Sequence, residues 1–212
     1  MRVRIVSTIA LLALVLRVGA AAELLDRVLA VVGGTVITQS DAAAVLTFGL
    51  VTPPAPRADP LRAALDHLIR RELILTEVNR YAPGEVDADL VKKKLAEVRG
   101  RFPSVAAFQA ALDRTAMTES RLADMIEGDV RMGDYLKQRF GVEPSDDDLA
   151  AYYDAHRAEF ASAGRQSTLE QARGTVRQRW IEEKRAALIG EWVARLRRRA
   201  EVSDLYFADT GK

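Results

Sequence analysis

Hydrophobic and polar positions near the start of the chain predict a β-hairpin. Val28–Val32 and Thr35–Thr38 are rich in β-branched residues, and Gly33-Gly34 between them can take the positive φ values of a two-residue turn. An isolated hairpin is marginally stable in water, so helices or a third strand must support it. The run Val202–Phe207 is the best candidate for that strand, which would bring the two ends of the mature chain together.

Apolar positions with a 3.6-residue period dominate the rest of the chain and predict helices. Thr38, followed three residues later by Asp41, has the spacing of a capping box. The prolines between Val51 and Pro60 indicate a stiff surface loop, and a core helix follows at Leu61–Asn79. Glycine, proline and capping signals delimit the other predicted helices, which are residues 42–50, 86–100, 104–113, 118–140, 145–160 and 168–200.

These elements predict a mainly α protein, with about six or seven helices against one small β-hairpin. The long C-terminal helix is too narrow to bury its own apolar stripe, so we expect it to pack back across the earlier helices. We predict one domain over residues 23–212, within which residues 83–141 could form a smaller helical lobe.

The first 22 residues have the pattern of a secretory signal peptide. Arg2 and Arg4 precede an apolar run from Ile5 to Leu16, and small residues at 18–22 suit cleavage. An apolar helix of this length reaches only about 18 Å, short of the roughly 30 Å hydrocarbon core of a bilayer. We therefore expect cleavage and a soluble periplasmic protein, with no stable membrane insertion; an uncleaved anchor is the alternative.

Charge and composition limit the classes of partner. The chain has 31 Lys and Arg against 30 Asp and Glu, and removing the three arginines of the leader leaves 28 basic residues against 30 acidic ones. A mildly acidic mature chain does not favour nucleic-acid binding. The absence of cysteine excludes disulfides and thiolate metal sites. The arginines at 195 and 197–199 suit a helix C-terminus, with a lipid or polyanion site as the alternative.

The sequence contains no motif that predicts catalysis. His67 and His156 are its two histidines, each lies within a predicted helix, and zinc and nucleophile motifs are missing. Asp146, Asp147 and Asp148 are about 100° apart around a helix, so they cannot converge on one metal ion. Acidic residues at a helix start suit its dipole instead. We expect no catalytic site, no metal site and no cofactor.

The predicted helix 118–140 carries more apolar residues than one core-facing stripe needs. One stripe runs from Leu122 through Ile126 to Phe140, and a second stripe lies beside it, formed by Met125, Gly128, Met132 and Tyr135. Methionine is common on adaptable binding surfaces. Two interpretations follow: the helix is buried on both sides, or its second stripe lines a peptide-binding cleft. The candidate peptide-binding residues are Phe102, Phe108, Met117, Met125, Met132 and Tyr135.

Three segments resemble the SurA-type periplasmic chaperones, which share the SurA N-terminal domain. Asp26–Asp41 (DRVLAVVGGTVITQSD) resembles the start of the mature family members, and Leu61–Asn79 resembles their next helix. Pro144–Tyr153 (PSDDDLAAYY) is similar to the family helix that leads towards a parvulin domain. The resemblance extends more weakly to a C-terminal helix and strand that fold back onto the N-terminal part. It implies a chaperone core that holds unfolded outer-membrane or secreted polypeptides extended.

The chain departs from that family where the enzyme domain would lie. In the family, one or two parvulin prolyl-isomerase domains normally separate the last two helices. Here only residues 161–167 lie between Phe160 and Thr168, and a domain of about 100 residues cannot fit there. Isomerase activity is therefore disfavoured. Two functions stay open: a holdase for many unfolded clients, and an interaction module for one envelope partner or for a homodimer formed through the same patch.

Overall fold

The computed structural model describes residues 26–52, 59–81, 84–162 and 165–206. Within them the chain is mainly helical, with a small antiparallel sheet and a long last helix that packs back on α2, so the predicted fold class is confirmed. The helices are α1 (Gln39–Thr47), α2 (Pro60–Tyr81), α3 (Ala88–Arg99), α4 (Val105–Arg114), α5 (Glu119–Arg139), α6 (Asp146–Ala155) and α7 (Leu169–Arg199), with a 3₁₀ helix at Arg157–Phe160. The strands are β1 (Val28–Val32), β2 (Thr35–Thr38), β3 (Ala161–Ser162), β4 (Arg165–Gln166) and β5 (Val202–Asp204).

The main sheet joins both ends of the described chain in the order β2-β1-β5. Gly33 and Gly34 have φ values of 55° and 90°, which glycine adopts without steric cost, so they form the predicted hairpin turn. β5 pairs antiparallel with β1, with Val31 opposite Ser203. The predicted third strand is therefore present over Val202–Asp204, while Phe207 lies outside the described residues.

The starts of five helices follow from local sequence. Each is preceded by a hydroxyl side chain that accepts a backbone N–H of the first turn, which satisfies a donor that has no partner within the helix. In three cases the third helical residue completes a capping box. The capping residues are Thr38, Ser104, Thr118, Ser145 and Thr168.

Several helix boundaries differ from the predicted ones by a few residues. α1 ends at Thr47, three residues earlier than predicted. Pro60 is the first residue of α2, because a proline is tolerated where the N–H has no helical partner. α6 ends at Ala155, and the 3₁₀ helix then continues to Phe160. The short pair β3–β4 lies in the segment predicted as a loop.

A central core lies between the sheet, α2 and the C-terminal half of α7. Leu29 and Ile37 of the sheet pack with Leu65 and Ile69 of α2, and Trp192 of α7 closes the cluster. Burying one large aliphatic side chain contributes roughly 1.5–3 kcal/mol, so this cluster supplies much of the support that the hairpin needs.

A second cluster, the lobe core, lies between the end of α1 and α3, α4 and α5. Phe48, Val98, Phe108 and Leu122 are all buried in it. The guanidinium of Arg101 donates hydrogen bonds to the carbonyl oxygens of Phe48 and Gly49, at 2.9 and 3.0 Å. The segment α3–α5 is thus joined to α1 through both apolar and polar contacts.

A third cluster joins α6 to the N-terminal half of α7. Leu149, Tyr153 and Phe160 pack there against Val176. Arginines of α7 hold the segment that leads into α6: Arg173 pairs with Asp146, Arg177 pairs with Glu143, and Arg185 donates to the Phe140 carbonyl oxygen at 3.3 Å. The single helix α7 therefore spans the third cluster and the central core.

None of the helices in the described ranges is both long enough and apolar enough to cross a bilayer. Residues 1–22, predicted to be a signal peptide, lie outside those ranges. Most of the proline-rich segment predicted as a loop, residues 53–58, lies outside them as well.

Candidate functional site

The six residues predicted to line a peptide cleft are divided between two cores. Phe102 and Phe108 form an aromatic triad with Phe48, with ring centroids 5.4–5.9 Å apart. Phe108 is 2% exposed and Met117 is 4% exposed, so both are core residues with almost no surface for a peptide. Phe102 is half-buried against the same cluster. We expected Phe108 and Met117 to line an open cleft, but both lie buried in the lobe core.

The burial of Met117 has a backbone cause. Ala116 has a φ of 48°, in the left-handed region that non-glycine residues rarely adopt. This reversal ends α4 and lets the N–H of Met117 donate to the carbonyl oxygen of Leu112 at 2.9 Å. The chain folds back under α4, and the Met117 side chain enters the lobe core.

The second stripe of α5 is half-buried against the central core. Met125, Met132 and Tyr135 all pack on it, and the Tyr135 ring lies 6.1 Å from that of Trp192. The guanidinium of Arg139 lies over the rings of Tyr135 and Trp192, at 5.8 and 5.3 Å from their centroids. α5 thus contacts both cores, and its second stripe keeps only partial exposure.

Met125 is the predicted site residue that lines an open groove beside the sheet. This cavity, called the β2 groove below, has a volume of about 200 Å³ and lies between the outer edge of β2, α2 and the N-terminal half of α5. Its lining residues are Thr35, Val36, Ile37, Asp41, Leu68, Arg71, Glu72, Arg121 and Met125.

The arginines of the β2 groove are held by partners. Arg71 forms an ion pair with Asp129 at 2.7 Å and also donates to the Met125 carbonyl oxygen at 2.9 Å. Arg121 pairs with Asp41, the third helical residue of α1, which completes its capping box, at 2.7 Å. These contacts fix the walls of the groove and neutralise most of its charge.

Gly128 makes room for the Arg71 contacts. A Cβ at this position would lie 2.7 Å from a terminal nitrogen of Arg71, closer than real side chains approach. A glycine within α5 costs about 1 kcal/mol of helix stability relative to alanine. At Gly128 this cost occurs where the Arg71 side chain of α2 approaches α5 closely.

The hydroxyl of Thr35 closes the polar side of the groove by donating to Glu72 at 2.9 Å. Next to it, Val36 is 49% exposed. Val36 lies directly opposite Val31 across the hairpin, and Val31 lies opposite Ser203. Directly opposed residues share one face of a sheet, so Val36 and Val31 present apolar surface on the face away from α2.

Sequence reasoning missed Val36, Leu68, Arg71 and Arg121 as groove residues. One of them had a usable signal: Arg71 lies three residues after Leu68 and four before Leu75, within the apolar stripe of α2. A charged residue in a core-facing stripe indicates an ion pair with another element. The position of Val36 beside α5 depends on tertiary packing and has no local signal.

The two histidines have local structural environments. His67 is half-buried on α2 with its Nε2 atom unpartnered, and burial lowers its pKa below the usual range. His156 stacks on Tyr152, with 4.1 Å between ring centroids. In the described part of the chain no group of acidic or histidine side chains could hold a metal ion.

Comparisons with known proteins reveal a likeness of fold. No protein-family model and no curated protein matches the chain. A solved structure from a study of the virulence factor PEB4 and the periplasmic protein Cj1289 of Campylobacter jejuni, described as two structurally related SurA-like chaperones, matches with a TM-score of 0.52. The two sequences are 13% identical, and the match covers 85% of this chain and all of the other one.

Proposed function

We propose that this protein is a chaperone-type protein that binds extended, unfolded polypeptides. The observation that carries the proposal is the fold shared with a SurA-like chaperone over 85% of this chain. The β2 groove supplies a surface for such a role, since it joins an apolar floor to an open strand edge.

The groove suits weak binding of many sequences. Leu68 and Met125 offer apolar contact, and the flexible methionine adapts to side chains of different shapes. Weak binding of this kind blocks aggregation without selecting one sequence. The task requires no bond to be made or broken, so we propose that the protein acts without catalysis.

The place of action follows from the same proposal. The predicted leader and the description of Cj1289 as a periplasmic protein both favour the periplasm. Clients in that compartment include unfolded outer-membrane proteins, and β-barrel strands alternate apolar and polar residues in extended segments. We propose such segments as clients.

An aggregation assay tests this function. An unfolded β-barrel membrane protein is diluted from urea with and without the mature chain, and light scattering is followed; two unrelated unfolded proteins serve as further clients. Suppression for all three supports a holdase. Binding of a single envelope protein with no effect on the others would favour the interaction module, and failure to bind any polypeptide would reject the proposal.

A separate assay addresses catalysis. We expect the mature chain to leave cis–trans isomerisation of a proline-containing peptide at its uncatalysed rate, which is slow enough to follow directly. The circular dichroism spectrum of the same sample establishes that the protein is folded. Acceleration that is proportional to protein concentration would show that the protein is an enzyme.

A further inference from the structure

We infer that the β2 groove holds its client as an added strand, paired with the outer edge of β2 at Val36. This inference rests on the proposed function and specifies how the client is recognised. The occupant is an uncharged, extended polypeptide segment. Its backbone would continue the sheet order β2-β1-β5 by a fourth strand, outside β2.

The hydrogen-bonding pattern of the sheet leaves Val36 available. Two hydrogen bonds between β1 and the segment of β5 lie on either side of Val31: Gly33 N–H donates to Glu201, and Leu205 N–H donates to Leu29. Hydrogen-bonded pairs recur at every second residue, so the N–H and C=O of Val31 point towards Ser203. Inter-strand pairs alternate between hydrogen-bonded and non-hydrogen-bonded, so Val31 and Val36 form a non-hydrogen-bonded pair. The N–H and C=O of Val36 therefore point away from β1, and no strand of the described chain lies on that side.

The neighbours of Val36 fit an extended chain. β2 has four residues, which corresponds to roughly 13 Å of strand. Successive side chains of an added strand point to opposite faces of the sheet. One set would meet Leu68 and Met125 in the groove, and the other would lie beside Val36 and Val31 on the open face.

The paired charges of the groove favour an uncharged client segment. Arg71 and Arg121 are engaged in ion pairs with Asp129 and Asp41, and Glu72 accepts the Thr35 hydroxyl. A charged client side chain would have to compete with these contacts while losing its own hydration. A short segment of valine, threonine and similar residues loses little on entry and pairs well as a strand.

Crosslinking tests the position of the client. The chain contains no cysteine, so Val36→Cys and the matched control Val105→Cys each introduce one thiol; Val105 is 76% exposed on α4. The probe is a capped peptide of valine and threonine with one central cysteine. Because binding raises the local thiol concentration, we expect about tenfold more mixed disulfide at position 36 than at position 105.

Two crosslinking results would overturn the inference. Equal yields at the two positions would show that the peptide has no preference for the β2 edge. Predominant disulfide-linked homodimer through position 36, with little peptide adduct, would assign the edge to a second copy of the chain.

Proline substitution tests the backbone contact itself. Val36→Pro removes an N–H that makes no hydrogen bond within the sheet, and proline is tolerated on edge strands. We expect about fivefold weaker binding of the labelled valine–threonine peptide, because one backbone hydrogen bond to the client is lost. Val36→Thr changes the side chain but keeps the N–H, so its affinity should fall by less than that of Val36→Pro.

The results separate this inference from the proposed function. If the wild-type protein suppresses aggregation and folded Val36→Pro does so equally, the edge-pairing mode is wrong and the chaperone role stands. If the wild-type protein binds neither the peptide nor any unfolded client, both are wrong. Should Val36→Pro fail to fold, as judged by circular dichroism, the comparison of cysteine positions decides.

Discussion

The two sides of α5 differ in how completely the rest of the chain covers them. Towards α3 and α4, Leu122 and Ile126 are buried in the lobe core together with Phe108. Towards β2 and α2, Met125 is only half-buried, and a groove runs past it. Both sides are apolar in sequence. The difference teaches that an apolar stripe identifies contact surface, while tertiary packing decides whether another part of the chain fills it.

The open side is also the more polar one. Arg71 crosses from α2 to Asp129 and to the backbone of α5, and Arg121 reaches α1. These ion pairs join α5 to α2 and to α1 at the walls of the groove, and its floor stays apolar. On the closed side, the rings of Phe48, Phe102 and Phe108 pack in the lobe core that α5 also joins.

The largest expected effect is on the closed side. Phe108→Ala should lower the free energy of unfolding by about 3–5 kcal/mol, because it leaves a cavity in the aromatic triad. Urea unfolding measures the loss, and Val105→Ala on the exposed face of the same helix is the control. Client protection per folded molecule should not change. A loss of protection without a loss of stability would place Phe108 in a binding surface after all.

A smaller loss is expected where the two sides meet. Arg71→Ala removes the partner of Asp129 and one donor to the Met125 carbonyl oxygen, and Arg71 is only 12% exposed. We expect about 1–3 kcal/mol of destabilisation in urea, together with weaker peptide binding because the groove wall moves. Arg70→Ala, on the exposed face of α2, should be close to neutral. Equal effects of the two substitutions would contradict the role given to Arg71.

The methionines of the second stripe give the sharpest comparison. Met125 lines the β2 groove, whereas Met132 packs on the central core and lies outside the groove. Both are half-buried, so Met125→Ser and Met132→Ser should destabilise the fold similarly, by about 1 kcal/mol. Only Met125→Ser should weaken peptide affinity, by about three- to tenfold. Fluorescence anisotropy with the labelled peptide measures this difference, and equal affinities would remove Met125 from the site.

The smallest expected effect concerns pH. Burial lowers the pKa of His67 in the folded state, so between that value and the unfolded value near 6.5 the unfolded chain binds more protons. Stability should therefore be constant above about pH 6.5 and fall as pH drops below it. Urea titrations at several pH values measure the slope. His67→Gln should flatten it, and an unchanged slope would exclude His67 as its cause.

Local chemistry explains which parts of the fold sequence analysis could reach. Thr38, Thr118 and Thr168 can be recognised in the sequence as helix starts, because each side chain accepts the backbone N–H three residues later. The turn at Gly33-Gly34 is equally local. The third strand could be predicted for a different reason: an isolated hairpin is marginally stable, and the chain has few other strand-like runs to support it.

The candidate site could not be predicted from short sequence segments, because it depends on tertiary packing. Met117 is buried because Ala116 takes a positive φ, which an alanine does not signal. Arg71 and Asp129 are 58 positions apart, so their pairing appears only once α2 and α5 are packed together. The methionine stripe was visible in sequence, but its division into a groove residue and core residues was set by the positions of β2 and α7.

The short strand pair β3–β4 has a consequence for where the chain tolerates insertion. Ala161 pairs with Gln166, and the Ser167 N–H donates to the Phe160 carbonyl oxygen at 3.2 Å. The chain therefore leaves the α6 side and returns at the start of α7 at one point. The Tyr153 hydroxyl donates to Ser167 and fixes the re-entry side. A junction whose two ends already touch can accept or lose a folded insert without displacing α6 or α7.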